Sequence, residues 1–182
     1  YYVDTGSYTL NALLSGSIYG GIAGNKRLIL AGAPSTGKTF YTISIVKDFL
    51  DRHPNAFVFY FESESAVLTD QMKSRGVDTD RVGNMPVSTI QEFRTQAVRV
   101  LDMYLDKKET PETMPVMFVL DSLGNLSTTK EVEDIAAGKD TRDMTRAQLI
   151  RGAFRILTLK LGRAGIPLII TNHIYDNVGG YG

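Results

Sequence analysis

The chain has 182 residues, of which 43% are hydrophobic and 22% charged, a composition typical of a globular protein with one sizeable core. Twenty basic residues balance twenty acidic ones, so the net charge gives no indication of a nucleic-acid partner. The absence of cysteine excludes disulfides, thiolate metal sites and a cysteine nucleophile, and favours the cytoplasm. No apolar run approaches the roughly 20 residues of a membrane span, so no membrane partner is expected.

Four short apolar runs, at residues 27–31, 56–61, 116–120 and 166–171, are too short for amphipathic helices and predict buried strands. Helical patterns alternate with them. This order predicts an α/β fold with a mostly parallel central sheet and helices on both faces. Ligands of such folds bind at the carboxyl ends of the strands.

The first predicted helix covers residues 38–52 and ends before Pro54, which disfavours continuation. The second covers residues 89–108, and Thr89 and Glu92 at its start are spaced for a capping box.

The third predicted helix begins after Asp143 and closes at Gly162. Its apolar side is expected to carry Met144, Ala147, Ile150, Phe154, Leu157 and Leu161. Its polar side carries Arg142, Arg146, Arg151 and Arg155, and an arginine ladder of this kind is most often a solvated face. The polar segment 127–141 is expected to be the least structured part of the chain and is long enough to be a functional loop.

A glycine-rich segment fits the phosphate-binding P-loop pattern, in which glycine, four residues and Gly-Lys-Thr follow one another. It reads Gly32-Ala33-Pro34-Ser35-Thr36-Gly37-Lys38-Thr39, with Phe40 next. In such loops the backbone N–H groups surround phosphate oxygens, the lysine reaches the β- and γ-phosphates, and the threonine hydroxyl binds magnesium. Because the segment follows a predicted strand and opens a predicted helix, ATP and Mg²⁺ are the expected ligands rather than a mere glycine-rich turn.

Polar residues also follow the other predicted strands. Asp121 ends the third strand and is the candidate magnesium ligand, although an aspartate after a strand is often only a turn former or helix cap. Glu62 and Glu64 end the second strand and are expected on the same side, because strand side chains alternate. Either could orient the attacking water or be a solvated strand-end residue. His173 ends the fourth strand and is a candidate γ-phosphate sensor, against the usual structural role of a lone histidine.

Taken together, these strand ends resemble the ATPase core of the RecA-type recombinases, and most closely the UvsX recombinases of T-even-type bacteriophages. The resemblance covers nearly the whole chain. It is carried by Asp4-Thr5-Gly6-Ser7, Ser63-Glu64, Arg75-Gly76-Val77-Asp78, Asp121-Ser122-Leu123-Gly124-Asn125-Leu126, Asp143-Met144-Thr145-Arg146-Ala147 and Asn172-His173.

The resemblance implies a DNA-dependent ATPase that forms filaments on single-stranded DNA and exchanges strands with homologous double-stranded DNA. It implies that Glu64 is the catalytic glutamate, that Lys38 and His173 contact the phosphates, and that segment 127–141 is the first DNA-binding loop. Residues 174–182 match the start of the second. The candidate phosphate contacts on DNA are Lys130, Lys139, Arg142 and Arg146.

The resemblance also implies further partners and indicates which parts of the family's proteins this chain contains. Further partners would be copies of the same chain in a filament, single-strand-binding proteins and mediator proteins, in the host cytoplasm if the protein is phage-encoded. Residues 1–182 would form one RecA-like core domain without the family's N-terminal polymerisation segment or C-terminal region. Two positions depart from the family: Gln71 stands where relatives stack a tyrosine near the adenine, and Glu62 stands where they usually carry aspartate.

Two other functions are compatible with the same motifs. One is a different motor on this fold, such as a hexameric helicase or a packaging ATPase. The other is a non-catalytic mediator or paralogue that binds nucleotide and a recombinase without exchanging strands.

Overall fold

The computed structural model describes residues 2–33, 36–64, 68–107, 109–110, 112–139 and 143–173. The strands within these ranges are β1 (Tyr2–Val3), β2 (Ile22–Ala23), β3 (Arg27–Gly32), β4 (Phe57–Glu62), β5 (Val82–Pro86), β6 (Val116–Asp121) and β7 (Leu168–His173). The helices are α1 (Tyr8–Ser15), α2 (Lys38–Arg52), α3 (Leu68–Ser74), α4 (Ile90–Asp106), α5 (Thr129–Ala136) and α6 (Arg146–Ala164).

The central sheet has five strands in the order β3-β7-β6-β4-β5, and every neighbouring pair is parallel. Strands β1 and β2 form a separate antiparallel pair. Since all five strands of the main sheet run the same way, their carboxyl ends emerge at one edge. The predicted α/β fold with a parallel sheet is confirmed.

Side-chain alternation divides the core into two layers, one on each face of the sheet. On one face, Phe61, Phe118 and Ile170 pack against α4 and α6. On the other face, Tyr60 and Val119 pack in the layer that also holds buried residues of α2 and α3. Tyr60, Glu62 and the odd-numbered residues of β6 and β7 therefore face α2, the helix that follows the P-loop.

Helix α2 has the predicted bounds, and Thr89 caps α4 by accepting from the N–H of Glu92. The predicted capping box is shifted by one residue, because the Glu92 carboxylate accepts from Ser88 instead of Thr89. Strand β5 was not predicted. Its sequence, VGNMP, contains weak strand formers that are tolerated because β5 lies at the edge of the sheet.

Two predictions about the third helix are wrong. Helix α6 begins at Arg146, and Met144 precedes it with 87% of its surface exposed, so Met144 is not on the buried side. The helix also continues past Gly162 to Ala164, where Gly165 ends it with a φ of 69°. Gly162 tolerates helical dihedrals, whereas the left-handed conformation at residue 165 favours glycine. No described helix has the length and apolar character needed to cross a bilayer.

The segment 127–141, predicted as the least structured part of the chain, contains helix α5. Thr128 and Glu131 form a capping box at its start, in which each side chain accepts from the backbone N–H of the other residue. None of the eight residues of α5 is buried, and its apolar Val132 and Ile135 are exposed, so local capping rather than core packing accounts for this helix.

Asp143 anchors the start of α5 to the start of α6. Its buried carboxylate accepts from the Thr128 hydroxyl at 2.7 Å, and from the hydroxyl and N–H of Thr145 at 2.6 and 2.8 Å. The hydrogen bonds from the Thr145 and Thr128 side chains and the Thr145 N–H lower the pKa of Asp143 from 3.8 to about 2.

We expect Asp143→Asn to lower the free energy of unfolding at neutral pH, because the amide cannot accept all three hydrogen bonds. A folded-state pKa below the unfolded one stabilises the protein above a pH of about 4, and this stabilisation is lost as the pH falls towards 2. Urea unfolding across this pH range should show the difference between the two proteins shrinking in acid.

The matched control is Asp102→Asn, which removes an exposed carboxylate that pairs with Lys160 at 3.1 Å. Exposed pairs contribute little to stability, so this variant should unfold like the unmodified protein. A destabilisation by Asp143→Asn that is independent of pH would contradict the assignment.

Candidate nucleotide site

The carboxyl ends of β3, β4, β6 and β7 meet at one edge of the sheet. In the strand register Gly32 lies beside His173, and Glu62 lies beside Asp121. A pocket at this edge is lined by Thr39, Glu62, Glu64, Leu68, Gln71 and Asp121. The residues that line this pocket are up to 82 positions apart in the chain.

The Lys38 side chain forms hydrogen bonds with other residues of the P-loop. Lys38 is 8% exposed, and its ammonium donates to the carbonyls of Gly32 and Ala33 at 2.9 and 2.5 Å and to the Thr36 hydroxyl at 3.3 Å. Gly37, with a φ of 82°, begins α2 in a left-handed conformation that favours glycine. Of the predicted phosphate-binding residues, Pro34 and Ser35 lie outside the described residues.

The Asp121 carboxylate accepts hydrogen bonds from hydroxyl groups on three neighbouring elements. The Thr39 hydroxyl donates to Oδ2 at 3.0 Å from α2, and the Tyr60 hydroxyl donates to the same oxygen at 2.8 Å from β4. The Thr171 hydroxyl donates to Oδ1 at 2.5 Å from β7. Asp121 and Thr39, the two predicted magnesium ligands, are therefore in direct contact.

The donor set fits Mg²⁺ bound together with a nucleotide. Magnesium in such sites takes one or two protein oxygens and completes its octahedron with water and phosphate oxygens. The Asp121 carboxylate and the Thr39 hydroxyl supply two such oxygens. Among the described residues no group of three or more carboxylate or histidine side chains could hold a metal by itself.

Glu64 and His173 form a second contact at the same edge of the sheet as Asp121 and Thr39. One carboxylate oxygen of Glu64 is 3.5 Å from His173 Nε2 and accepts a hydrogen bond from the Asn125 side chain. The Glu64 side chain is 64% exposed, whereas that of His173 is 18% exposed. Glu64 can therefore reach water, while two neighbours restrict its position.

Glu62 lines the same pocket but has a different environment. It is 9% exposed, and its pKa is raised by burial and by the charges of Asp121 and Glu64, although a hydrogen bond with Asn84 acts in the opposite direction. Both glutamates line the pocket, but β4 ends at Glu62, so strand alternation does not apply to Glu64. Glu64 thus belongs to the following turn.

Gln71 and Phe40, two of the residues predicted to bind the nucleotide, are separated. Gln71 lines the pocket with Thr39 and Asp121. The ring of Phe40 instead contacts the guanidinium of Arg75, which lies 3.9 Å from the ring centre, in a second groove between α2 and the end of α3.

The basic residues predicted to contact DNA differ in their exposure and in their contacts within the protein. Lys130 and Lys139 are exposed. Arg146 donates to the carbonyl of Leu126 and lies 3.5 Å from the Glu131 carboxylate, so its guanidinium is engaged within the protein. Arg142 and residues 174–182 lie outside the described residues, as does part of segment 127–141.

Sequence reasoning missed Tyr60, Thr171 and Asn125. Tyr60 lies two residues before Glu62, and Thr171 lies two residues before His173. Strand alternation therefore places each of them on the same face of the sheet as the candidate residue that follows it. That spacing could have identified them. Nothing comparable marks Asn125, because its contact with Glu64 depends on how the turn after β6 folds.

Comparison with known proteins agrees with this arrangement. The chain is 35% identical over 167 residues to the recombination and repair protein of Enterobacteria phage T4, which covers 92% of this chain and 41% of that protein. It is 24% identical to the RecA protein of Bifidobacterium breve and 25% identical to that of Paracoccus denitrificans, in each case over 97% of this chain.

The chain spans less than half the length of these relatives. No family model matches it. The comparison confirms the resemblance predicted from the sequence: over nearly its whole length this chain is similar to the RecA-type recombinases, and its fold is that of a RecA-like P-loop ATPase core.

Proposed function

We propose that this chain is the ATP-hydrolysing core domain of a DNA recombinase, which forms filaments on single-stranded DNA and exchanges strands with a homologous duplex. The observation that carries the proposal is the meeting of Thr39, Glu64 and Asp121 in one pocket beside a P-loop lysine. The similarity to a recombination and repair protein of a phage supports it. Other copies of the chain, single-strand-binding proteins and mediator proteins are the proposed protein partners.

The P-loop backbone and Lys38 bind the phosphates of ATP, because a helix N-terminus and an ammonium group both favour negative charge. Thr39 and Asp121 hold magnesium through their side-chain oxygens. Magnesium held there would neutralise charge that develops on the phosphates while the γ-phosphoryl group is transferred to water.

Glu64 orients the attacking water in this proposal. A water-positioning carboxylate must reach solvent that enters the pocket and must keep a defined direction. Glu64 meets both conditions, since it is well exposed and is restrained by Asn125 and His173. Glu62 is 9% exposed and lies beside Asp121 in the strand register, so water reaches its carboxylate less readily than that of Glu64.

His173 connects this centre to the chain that follows β7. The Nε2 atom of His173 lies 3.5 Å from the Glu64 carboxylate. A hydrogen bond from His173 to the γ-phosphate would therefore be made next to Glu64, the proposed water-orienting residue. By resemblance the next residues, 174–182, begin the second DNA-binding loop. We propose that His173 senses the γ-phosphate in this way.

For the first DNA-binding segment we propose Lys130 and Lys139 as phosphate contacts. Both are exposed, whereas Arg146 is engaged with Leu126 and Glu131 and is assigned to holding the segment in place. Helix α5 also carries acidic residues, so phosphate contacts would be few and local.

Glu64→Gln should slow ATP turnover by about a hundredfold or more, because a carboxamide cannot accept the water proton, and should leave nucleotide affinity nearly unchanged. Single-turnover hydrolysis and titration with a fluorescent ATP analogue measure the two effects. The matched variant is Glu62→Gln, two residues away in the same pocket, for which a smaller loss is expected. If Glu62→Gln were the slower enzyme, the role would move to Glu62.

ATP hydrolysis by the complete protein should be stimulated by single-stranded DNA, because the recombinase couples its nucleotide site to DNA-bound filaments. The measurement is steady-state hydrolysis with and without DNA, with Lys38→Ala as the inactive control because it removes the ammonium that binds phosphate. Electron microscopy with ATP and DNA should show open helical filaments.

Other results would identify the rival functions. Closed rings would indicate a motor such as a hexameric helicase or packaging ATPase. Unchanged DNA pairing by the Lys38→Ala and Glu64→Gln proteins would indicate a non-catalytic mediator. A rate of hydrolysis that does not respond to DNA would contradict the recombinase proposal.

Lys130→Ala and Lys139→Ala should each weaken binding to single-stranded DNA and lower the slope of log affinity against log salt by about 0.7, the value for one lost phosphate contact. Lys26→Ala is the matched control, because Lys26 is exposed at the opposite end of the sheet, before β3. Equal effects of all three substitutions would show that the lysines act only through net charge.

A further inference from the structure

We propose that Tyr60 and Thr171 are positioning residues, which hold the Asp121 carboxylate in the orientation that binds a divalent cation. This inference rests on the proposed function, because it takes Asp121 as the magnesium ligand. It assigns a role to two residues that belong to neither the P-loop nor the predicted acidic positions.

Tyr60 carries a hydroxyl group among the buried hydrophobic side chains on the α2 face of the sheet. The residue is fully buried among aliphatic side chains on the α2 face of the sheet, where a phenol without a hydrogen-bond partner would be costly. In the register of β4 and β6, Glu62 lies beside Asp121 and Tyr60 lies beside Val119. The Tyr60 side chain therefore reaches Asp121 diagonally and donates to Oδ2 at 2.8 Å.

Thr171 restrains the same carboxylate from the opposite neighbour. It is fully buried in β7 and donates to Oδ1 at 2.5 Å. Strands β4 and β7 flank β6 on its two sides, so the two oxygens of Asp121 receive donors from both directions. Rotation of the carboxylate about its last side-chain bond would break both hydrogen bonds.

This restraint matters because the oxygen that accepts from Tyr60 is also the one that Thr39 contacts. A ligand that is already oriented loses less freedom when the cation binds, and removal of such supporting hydrogen bonds typically weakens metal binding 10- to 100-fold. Hydrogen bonds to a carboxylate also compete with the cation for its lone pairs. In this proposal, the cation affinity gained by orienting the carboxylate is larger than the affinity lost to this competition.

A purely structural role is the competing explanation, in which Tyr60 only satisfies its own buried hydroxyl. The chain offers a control for it in Tyr104, which is 5% exposed and donates to the carbonyl of Met114 at 2.9 Å. Tyr104 packs on the other face of the sheet, in the layer of α4 and α6. Tyr104→Phe thus removes a comparable buried hydroxyl without touching Asp121.

The experiment measures how much magnesium strengthens nucleotide binding. The complete protein and its Tyr60→Phe, Thr171→Val, Tyr104→Phe and Asp121→Asn variants are titrated with a fluorescent ATP analogue, once with excess Mg²⁺ and once with EDTA. The ratio of the two dissociation constants is the magnesium gain. A loss of folding stability alone would change both constants and leave the ratio unaltered.

We expect Tyr60→Phe and Thr171→Val to reduce the magnesium gain by about tenfold, and Tyr104→Phe to leave it unchanged. A gain that stays the same or rises in Tyr60→Phe and Thr171→Val, while Asp121→Asn loses it, would overturn the positioning role and leave the proposed function intact. If Asp121→Asn keeps the gain, the magnesium assignment itself fails. Should Tyr60→Phe not fold, the nearly isosteric Thr171→Val decides the question.

Discussion

The hydrogen bonds to Asp121 depend on one constraint, the parallel register of β4, β6 and β7. Because β6 is the middle strand, its last residue has a strand on each side and a helix above it. Hydroxyl groups from β4, β7 and α2 converge on the carboxylate. A one-residue slip of either flanking strand would turn Tyr60 or Thr171 to the opposite face, so the geometry of the site and the pairing of the sheet are specified together.

The same edge concentrates negative charge. Glu62, Glu64 and Asp121 line one pocket, and the raised pKa of Glu62 reflects its burial and the charges of the other two. A triphosphate placed beside these groups would add further repulsion, which cations and the backbone N–H groups of the P-loop can offset. In the proposed function Lys38 and magnesium supply that charge.

The parts of the fold that are buried were predictable from sequence, and those that depend on local geometry were not. Strands β4, β6 and β7 are apolar runs that each deliver a polar residue at the carboxyl end, so these strands and the gathering of Asp121 and His173 followed from hydrophobicity. Strand β3 was recognised by its apolar run and the P-loop after it, although Ile29 is exposed. Edge strand β5 and exposed helix α5 lack such a signal. The difference between Glu62 and Glu64 could not be predicted, because alternation gives a direction but not the depth of burial.

Strand β7 connects the two halves of the site. Thr171 donates to the proposed magnesium ligand, and two residues later His173 lies beside the proposed base. Strand alternation places both side chains on the α2 face. A displacement of β7 that carried His173 towards or away from Glu64 would also disturb the hydrogen bond to Asp121. In the proposed recombinase, β7 would thus link a change at the γ-phosphate, through His173, to the metal ligand, through Thr171.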